Sequence, residues 1–219
     1  MKASGATAAL FVLGAAFLAA DAAWADDPRC ASISGPRGER DPAQHAWLRD
    51  IAHDVALKEG VDPLALEALG ENETALRPSL GRDCELGPFQ VMPVWAAVFK
   101  LDSAEMLWDP RINAIAAARI YKSALRKWRP QYARLGKNRI LAKAGWRGPF
   151  KKATFAALLY NWGAGARAFA HAEDLRTVSI PASSALYAVR FNRLLRALEA
   201  DGALRARARP AKAGTKRAS

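Results

Sequence analysis

The sequence predicts a single domain that is mainly helical, and two observations predict this fold class. Between residues 41 and 202, apolar residues recur every three or four positions, which is the spacing of one helix face. Three segments in that range begin with Asp-Pro, at residues 41, 62 and 109, and this pair combines a helix N-cap with a proline in the first turn. The β-prone run at residues 178–180 is too short to build a sheet.

Each predicted helix is bounded by such a start signal or by a glycine or proline. The predicted helices span residues 41–60, 62–73, 93–100, 109–128, 151–162 and 182–200. Between the fourth and the fifth, residues 129–150 are basic and are interrupted by prolines and glycines. We therefore expect an irregular basic insertion at 129–150 within the domain.

The two ends of the chain differ in composition from this domain. Residues 1–25 are typical of a secretory signal peptide, with Lys2, an apolar run at 6–20 and a small-x-small cleavage site at 23–25. Residues 26–40 are polar and predict an extended N-terminal arm. Residues 203–219, rich in Ala, Arg and Lys, predict a disordered basic tail. We expect an exported protein, periplasmic or extracellular, without stable membrane insertion.

The two cysteines, Cys30 and Cys84, both lie in the part of the chain that we expect to be exported. An oxidising compartment would let them pair. In the chain-entropy model the closed loop would stabilise the fold by up to about 4 kcal/mol. Two unpaired thiols are the alternative.

Glu73 is the candidate catalytic residue. It follows Leu66 and Leu69 at helical spacing, so its carboxyl projects from the same face as the two leucines. Burial on an apolar face raises the pKa of a carboxyl, as a general acid near neutral pH requires. Glu71 points nearly the opposite way, and a solvent-exposed Glu73 at a helix end is the alternative.

The segment around Glu73 resembles the catalytic domain of lytic transglycosylases. This family is related to goose-type lysozyme and cuts the glycan strands of bacterial cell walls. Its Glu-Ser segment has an apolar residue three positions after the glutamate and a proline five after it. Leu76 and Pro78 match these positions, and Thr74 stands in the position of the serine.

Three further segments match the family in the same order. Gly87 and Gln90 match its Gly-Leu-Met-Gln segment, although Pro-Phe stands between them here. Asn113 matches the asparagine of an Asp-Pro-Glu-x-Asn helix start, and Tyr160 with Asn161 matches a Tyr-Asn pair. The resemblance covers roughly residues 55–195, although residues 129–150 are extra to the usual spacing.

The resemblance implies a lysozyme-like helical domain with a catalytic cleft and a single catalytic acid, Glu73. It implies that Gln90 contacts the sugar and that Tyr160 contacts the acid, while Gly87 and Asn113 are structural. The candidates for contact with substrate are Thr74, Gln90, Tyr160, Asn161 and Tyr187. Tyr187 is a candidate for stacking on a sugar, although aromatic residues at helical spacing more often belong to a core.

The family reaction needs one acid that acts twice. Glu73 would protonate the oxygen between N-acetylmuramic acid and N-acetylglucosamine and then accept the proton of the muramyl C6 hydroxyl, which leaves a 1,6-anhydro end. Hydrolases of either stereochemistry need two carboxylates. A hydrolytic muramidase in which Asp83 or Glu85 positions water is therefore one alternative, and a basic wall-binding or assembly protein without activity is another.

The formal net charge is +12, and no Asp or Glu occurs between Pro110 and Ala172. Such a field attracts an anionic partner, and the peptide stems of peptidoglycan fit an exported protein better than nucleic acid or an anionic membrane surface does. A solvated basic face is the alternative. We expect glycan strands as partner, a secretion or conjugation machine as a further one, and no cofactor or metal, because the three histidines and two cysteines do not form a cluster.

Overall fold

Three aspartates cap three helices in the way that the Asp-Pro pairs predict. The carboxylates of Asp41, Asp62 and Asp109 each accept the backbone N–H two residues further along, at 2.9, 3.0 and 2.9 Å. In each helix the proline follows at the first position, where its missing N–H costs nothing. The first helix also ends as predicted, because Gly60 adopts a left-handed conformation with φ of 68°.

The computed structural model describes residues 41–208, and for residues 204–208 it describes the backbone alone. The helices are α1 (Pro42–Glu59), α2 (Pro63–Thr74), α3 (Val94–Val98), α4 (Pro110–Arg126), α5 (Arg139–Lys143), α6 (Lys152–Asn161), α7 (Gly165–Ala170) and α8 (Ala182–Ala208), with 3-10 helices at Ala104–Trp108 and Pro130–Lys137. No strand occurs within this range. The described residues form one mainly helical domain, as predicted.

The helices share one core. Helix α4 packs against α1 and α6, and α8 packs against α2 and α6. Tyr121 of α4, Phe155 of α6 and Phe191 of α8 are fully buried. Helix α6 is buried from Thr154 to Leu159 and is central, as its apolar sequence predicts. The shared core fixes α2, α6 and α8 relative to one another, and these three helices carry Glu73, Tyr160 and Tyr187.

While residues 144–150 are turns and loop, residues 130–143 are largely helical, which corrects part of the expectation of an irregular insertion at 129–150. They form the 3-10 helix Pro130–Lys137 and helix α5. Five apolar side chains from this segment are buried, namely Tyr132, Leu135, Leu141, Trp146 and Phe150. Basic residues stand between these anchors and obscured their spacing in the sequence.

The C-terminal helix is longer than expected. Helix α8 continues to Ala208, whereas the sequence predicted an end near residue 200 and a disordered tail from residue 203. Helix α7 and the 3-10 helix Ala104–Trp108 were not predicted. The expected signal peptide, the N-terminal arm and residues 209–219 lie outside the described residues. Within residues 41–208, no helix is both long enough and apolar enough to cross a membrane.

Candidate active site

The turn that ends helix α2 places Glu73 beside a buried loop. Ala75 and Leu76 both have positive φ, 56° and 50°, which is unfavourable for residues other than glycine. The Leu76 side chain is fully buried, and it packs against Gly70 together with Phe89. A Cβ at Gly70 would lie 2.3 Å from Leu76 Cδ2 and 2.8 Å from Phe89 Cε1. The absence of a side chain at Gly70 therefore lets this turn close.

The Glu73 carboxyl is partly buried and is hydrogen-bonded. The hydroxyl of Tyr187 donates to Glu73 Oε1 at 2.6 Å. The pKa of Glu73 is raised to about 8, chiefly by burial. The Tyr187 hydrogen bond and the charge of Arg190 oppose this rise, whereas the charge of Glu85 contributes to it. Burial is the largest of these effects, so Glu73 is protonated at neutral pH. The apolar environment that the leucine spacing predicts is present.

The other glutamates of α2 point to a different side. The carboxylate of Glu71 pairs with the imidazole of His45, and that of Glu67 pairs with His53 at 2.6 Å. Both histidines belong to α1, which packs against α2. Glu71 is thus engaged at the α1 interface, and the separation of Glu71 from Glu73 follows the helical geometry that the sequence predicts.

The tyrosine that contacts the acid is Tyr187, which corrects the expectation for Tyr160. The Tyr160 hydroxyl donates to the backbone carbonyl of Phe89 at 2.7 Å, so its proton is not available to Glu73. Burial, and after it the charge of Glu73, raise the pKa of Tyr160 well above the usual value for a tyrosine. The effect of Glu73 shows that Tyr160 lies close to the acid. Tyr187 lies in no matched segment, and its helical spacing from Arg190 and Phe191 was the one sequence signal available.

Thr74 is structural in this geometry. Its hydroxyl donates to the carbonyl of Pro88 at 2.8 Å and accepts the N–H of Arg77 at 2.9 Å. The residue is 8% exposed. The expected contact with substrate is therefore not supported, because the hydroxyl ties the end of α2 to the loop at residues 87–90.

Gln90 also holds this loop. It adopts a left-handed conformation with φ of 49°, and its side-chain Nε2 donates to the carbonyls of Ser79 and Gly87 at 3.0 and 2.9 Å. Its Oε1 faces Gly81, where a Cβ would lie 2.4 Å away. Because Nε2 is already engaged, Oε1 is the only atom of the Gln90 amide left to bind a ligand. The predicted contact with sugar would therefore have to be a hydrogen bond that Oε1 accepts.

Gly87 and Asn113 meet each other, in keeping with their expected structural roles. Asn113 is fully buried; its Nδ2 donates to the carbonyls of Leu86 and Leu107 at 2.8 and 3.0 Å, and its Oδ1 accepts the N–H of Phe89 at 2.9 Å. A Cβ at Gly87 would lie within 2.7 Å of this amide. Gly87, with φ of 74°, therefore gives the amide its space.

Glu85 faces the site, whereas Asp83 is exposed. Glu85 Oε2 accepts the N–H of Asp83 at 2.9 Å. It lies against Gly81, like Gln90 Oε1, and a Cβ there would be 2.1 Å from it. Among the described residues, Glu85 is the one other carboxylate whose charge raises the pKa of Glu73. The sequence named both loop acids without distinguishing them, and the structure selects Glu85.

Two further expectations concern Asn161 and the cysteines. Asn161 is exposed at the end of α6. Cys84 is disulfide-bonded, and Cys30 lies outside the described residues, so the pairing of these two residues stays a prediction. Among residues 41–208, no group of three or more His, Cys, Asp or Glu side chains is arranged to hold a metal ion.

The chain was compared with protein-family models, with curated proteins and with solved structures, and none of them matches it.

Proposed function

We propose that this chain is a lytic transglycosylase that cleaves the β-1,4 bond between N-acetylmuramic acid and N-acetylglucosamine in peptidoglycan. The observation that carries the proposal is one carboxyl, Glu73, whose pKa is raised to about 8 and whose Oε1 accepts a hydrogen bond from Tyr187. Such a group holds a proton at neutral pH and can donate it to a leaving oxygen. A lysozyme-like cleft around Glu73 is part of the proposal.

The first step is proton donation. Tyr187 occupies Oε1, so the proton of Glu73 resides on Oε2 and is available to the glycosidic oxygen. As the bond between this oxygen and the muramyl anomeric carbon breaks, N-acetylglucosamine leaves with the proton. Glu73 is then a carboxylate, and the hydrogen bond from Tyr187 stabilises that charged form.

The second step returns the proton. The muramyl C6 hydroxyl attacks the anomeric carbon of the same sugar, and Glu73 accepts its proton. The products together have the mass of the substrate, because no water is consumed. Holding the hydroxyl near the anomeric carbon makes the step intramolecular and lowers its entropic cost.

Hydrolysis is the second candidate function. In that reaction Glu85, rather than Asp83, is the carboxylate whose position suits the activation of water. The charge of Glu85 acts on Glu73, and its Oε2 lies next to Gly81 close to Gln90 Oε1. A carboxylate there could activate a water that replaces the C6 hydroxyl. The products of hydrolysis carry one additional water, so their mass distinguishes the two reactions.

The test is digestion of purified sacculi, with the released fragments identified by mass. We expect anhydro-muropeptides from the wild type and a fall of at least about 100-fold for Glu73→Gln, because the acid step is lost. Glu105→Gln is the matched control, since Glu105 is an exposed carboxylate of the 3-10 helix Ala104–Trp108. Undiminished release by Glu73→Gln would contradict the proposal, and products that carry an extra water would favour hydrolysis.

Export is also part of the proposal. It rests on the predicted signal peptide at residues 1–25, which lies outside the described residues. Glycan strands are the proposed substrate, and a secretion or conjugation machine stays a predicted partner. Detection of the tagged chain in the periplasm or medium, with residues 1–25 removed, would test export.

A further inference from the structure

Among the described residues, one buried side-chain oxygen lacks a hydrogen-bond partner, and it belongs to the residue before the candidate acid. Asn72, in the last turn of α2, is 3% exposed, and its Oδ1 accepts no hydrogen bond. A buried carbonyl oxygen without a donor costs free energy, and an apolar side chain of similar size would avoid that cost. A buried amide at this position therefore needs a reason other than packing.

Asn72 joins α2 to α8 beside the candidate acid. Its Nδ2 donates to the backbone carbonyl of Tyr187 at 3.2 Å, and Arg190 donates from Nη2 to the backbone carbonyl of Asn72 at 3.3 Å. The first contact fixes the orientation of the amide, because the reverse orientation would bring Oδ1 against a carbonyl oxygen. Asn72 therefore holds the part of α8 that carries Tyr187 next to Glu73.

The Asn72 amide also acts on the Tyr187 hydroxyl. Burial, and after it the charge and the hydrogen bond of Glu73, raise the pKa of Tyr187 well above the usual value; Tyr160 adds to this rise, and a hydrogen bond from Asn72 opposes it. A neighbour that lowers the pKa of a phenol through a hydrogen bond donates to the phenol oxygen. Nδ2 is the donor atom of the Asn72 side chain, so it faces both the carbonyl and the hydroxyl of Tyr187.

A donor on the phenol oxygen sets the direction of the Tyr187 O–H. A tyrosine hydroxyl has one proton to donate and can turn about its C–O bond. With the Asn72 N–H on one side of the oxygen, the proton points to the other side, where Glu73 Oε1 accepts it at 2.6 Å. A hydroxyl that accepts a hydrogen bond is also a stronger donor.

We propose that Asn72 is a positioning residue that directs the Tyr187 hydroxyl to Glu73 and keeps it there when Glu73 becomes a carboxylate. The unpartnered Oδ1 follows from this orientation, because the N–H groups of the amide are directed at Tyr187. The effect on cleavage rests on the proposed function, since the hydrogen bond from Tyr187 stabilises the carboxylate that remains after proton donation.

The charged and titratable groups that act on Glu73 come from three elements of the fold. They are Tyr187 and Arg190 of α8, Glu85 of the loop before α3, and Tyr160 of α6. The histidines of α1 pair with carboxylates on the other side of α2. An apolar substitution of Asn72 removes none of these groups, so a change in the pKa of Glu73 reports on the orientation of Tyr187.

The first experiment measures the pKa of Glu73 by NMR titration of the glutamate carboxyl carbons, and it needs no substrate. We expect Asn72→Leu to raise this pKa, with the acid dissociation constant lower by about threefold or more, because the carboxylate loses a well-directed donor. Tyr187→Phe should raise the pKa at least as much. Adding Asn72→Leu to Tyr187→Phe should change the constant by less than about 1.5-fold, because the two residues act through one hydrogen bond.

Asn192→Leu is the matched control for this titration. Asn192 is a half-buried asparagine of α8 whose Oδ1 accepts a hydrogen bond from Thr154 at 3.4 Å, so its loss should leave the pKa of Glu73 unchanged. If Asn72→Leu does not fold, Asn72→Ala takes its place with the same expected results. An unchanged pKa of Glu73, or an effect at residue 72 that is equal with and without the Tyr187 hydroxyl, would overturn the inference.

The second experiment measures cleavage of sacculi across pH. We expect Asn72→Leu to lower the rate at neutral pH by about fivefold and to move the alkaline limb to higher pH, as Tyr187→Phe does. If the titrations agree with expectation but the wild type does not cleave sacculi, the proposed function fails while the positioning role stands. If the wild type cleaves and Asn72→Leu leaves both the pKa and the limb unchanged, the positioning role fails while the proposed function stands.

Discussion

The two sides of helix α2 carry the same side chain in different surroundings. On the side of α1, Glu67 and Glu71 pair with the imidazoles of His53 and His45. On the other side, Glu73 is hydrogen-bonded to the phenol of Tyr187, and burial raises its pKa to about 8. Burial favours the protonated form of Glu73, and it outweighs the hydrogen bond from Tyr187, which favours the ionised form. One helix therefore supplies structural carboxylates and a candidate acid.

The largest expected effect concerns stability and separates Glu73 from Glu71. The pKa of Glu73 is about 8 in the folded chain against an ordinary value of 4.5, so the folded state binds its proton more tightly. The contribution of Glu73 to the free energy of unfolding should fall by up to about 5 kcal/mol as pH rises from about 4.5 to about 8, and it should then stay level. Glu73→Gln should remove this loss, which urea denaturation at pH 4 and pH 9 would measure.

Glu71→Gln is the matched comparison, because it changes the same group on the side that faces α1. It should not stabilise the fold at pH 9, since it breaks the pair with His45. If Glu71→Gln and Glu73→Gln altered the pH dependence of the free energy of unfolding in the same way, the two sides of α2 would not differ in the way described.

Tyr187→Phe should have the next largest effect, on activity. The hydrogen bond from Tyr187 lowers the pKa of Glu73, so its loss should raise that pKa. The alkaline limb of the pH–rate profile should move to higher pH, and the rate at neutral pH should fall about fivefold because the carboxylate loses a donor. Tyr160→Phe is the comparison, since the Tyr160 hydroxyl donates to Phe89 instead. A shift of the limb to lower pH in Tyr187→Phe would contradict this role.

Glu85→Gln should have the smallest effect on the pH–rate profile, and the shift should be opposite in direction to that of Tyr187→Phe. Its negative charge raises the pKa of Glu73, so removing it should move the alkaline limb to lower pH. Asp83→Asn is the control, because Asp83 is exposed and does not act on Glu73. If Glu85→Gln abolished cleavage and the wild-type products contained an extra water, hydrolysis with Glu85 as base would replace ring closure.

The parts of this fold that depend on local geometry could be predicted from the sequence. The three Asp-Pro starts and the glycine end of α1 depend on neighbouring residues, and all of them are present. The side of α2 that carries Glu73 follows from the spacing of Leu66 and Leu69 and from helix periodicity. In the same way, the apolar composition of α6 predicted its central position.

The parts that depend on distant contacts could not be predicted. Tyr187 reaches Glu73 from α8, across 114 positions of sequence, and no motif surrounds it. Thr74 and Gln90 were predicted to contact substrate, but the loop they hold uses the Thr74 hydroxyl and the Gln90 Nε2, which leaves Gln90 Oε1 alone for a ligand. A sequence shows that a side chain can donate a hydrogen bond but not which acceptor the fold brings to it.

The amide of Asn113 limits how the loop before α3 can be redesigned. Its Nδ2 needs two carbonyl acceptors and its Oδ1 needs one backbone donor, all in a fully buried position. Aspartate has the same shape but would turn an oxygen towards the two carbonyls, and leucine would leave the Leu107 carbonyl and the Phe89 N–H without the partner that Asn113 provides, while the Leu86 carbonyl would keep only the N–H of Val91. A library that varies residues 79–91 to alter substrate preference should therefore keep Asn113 fixed as the reference point from which the loop is built.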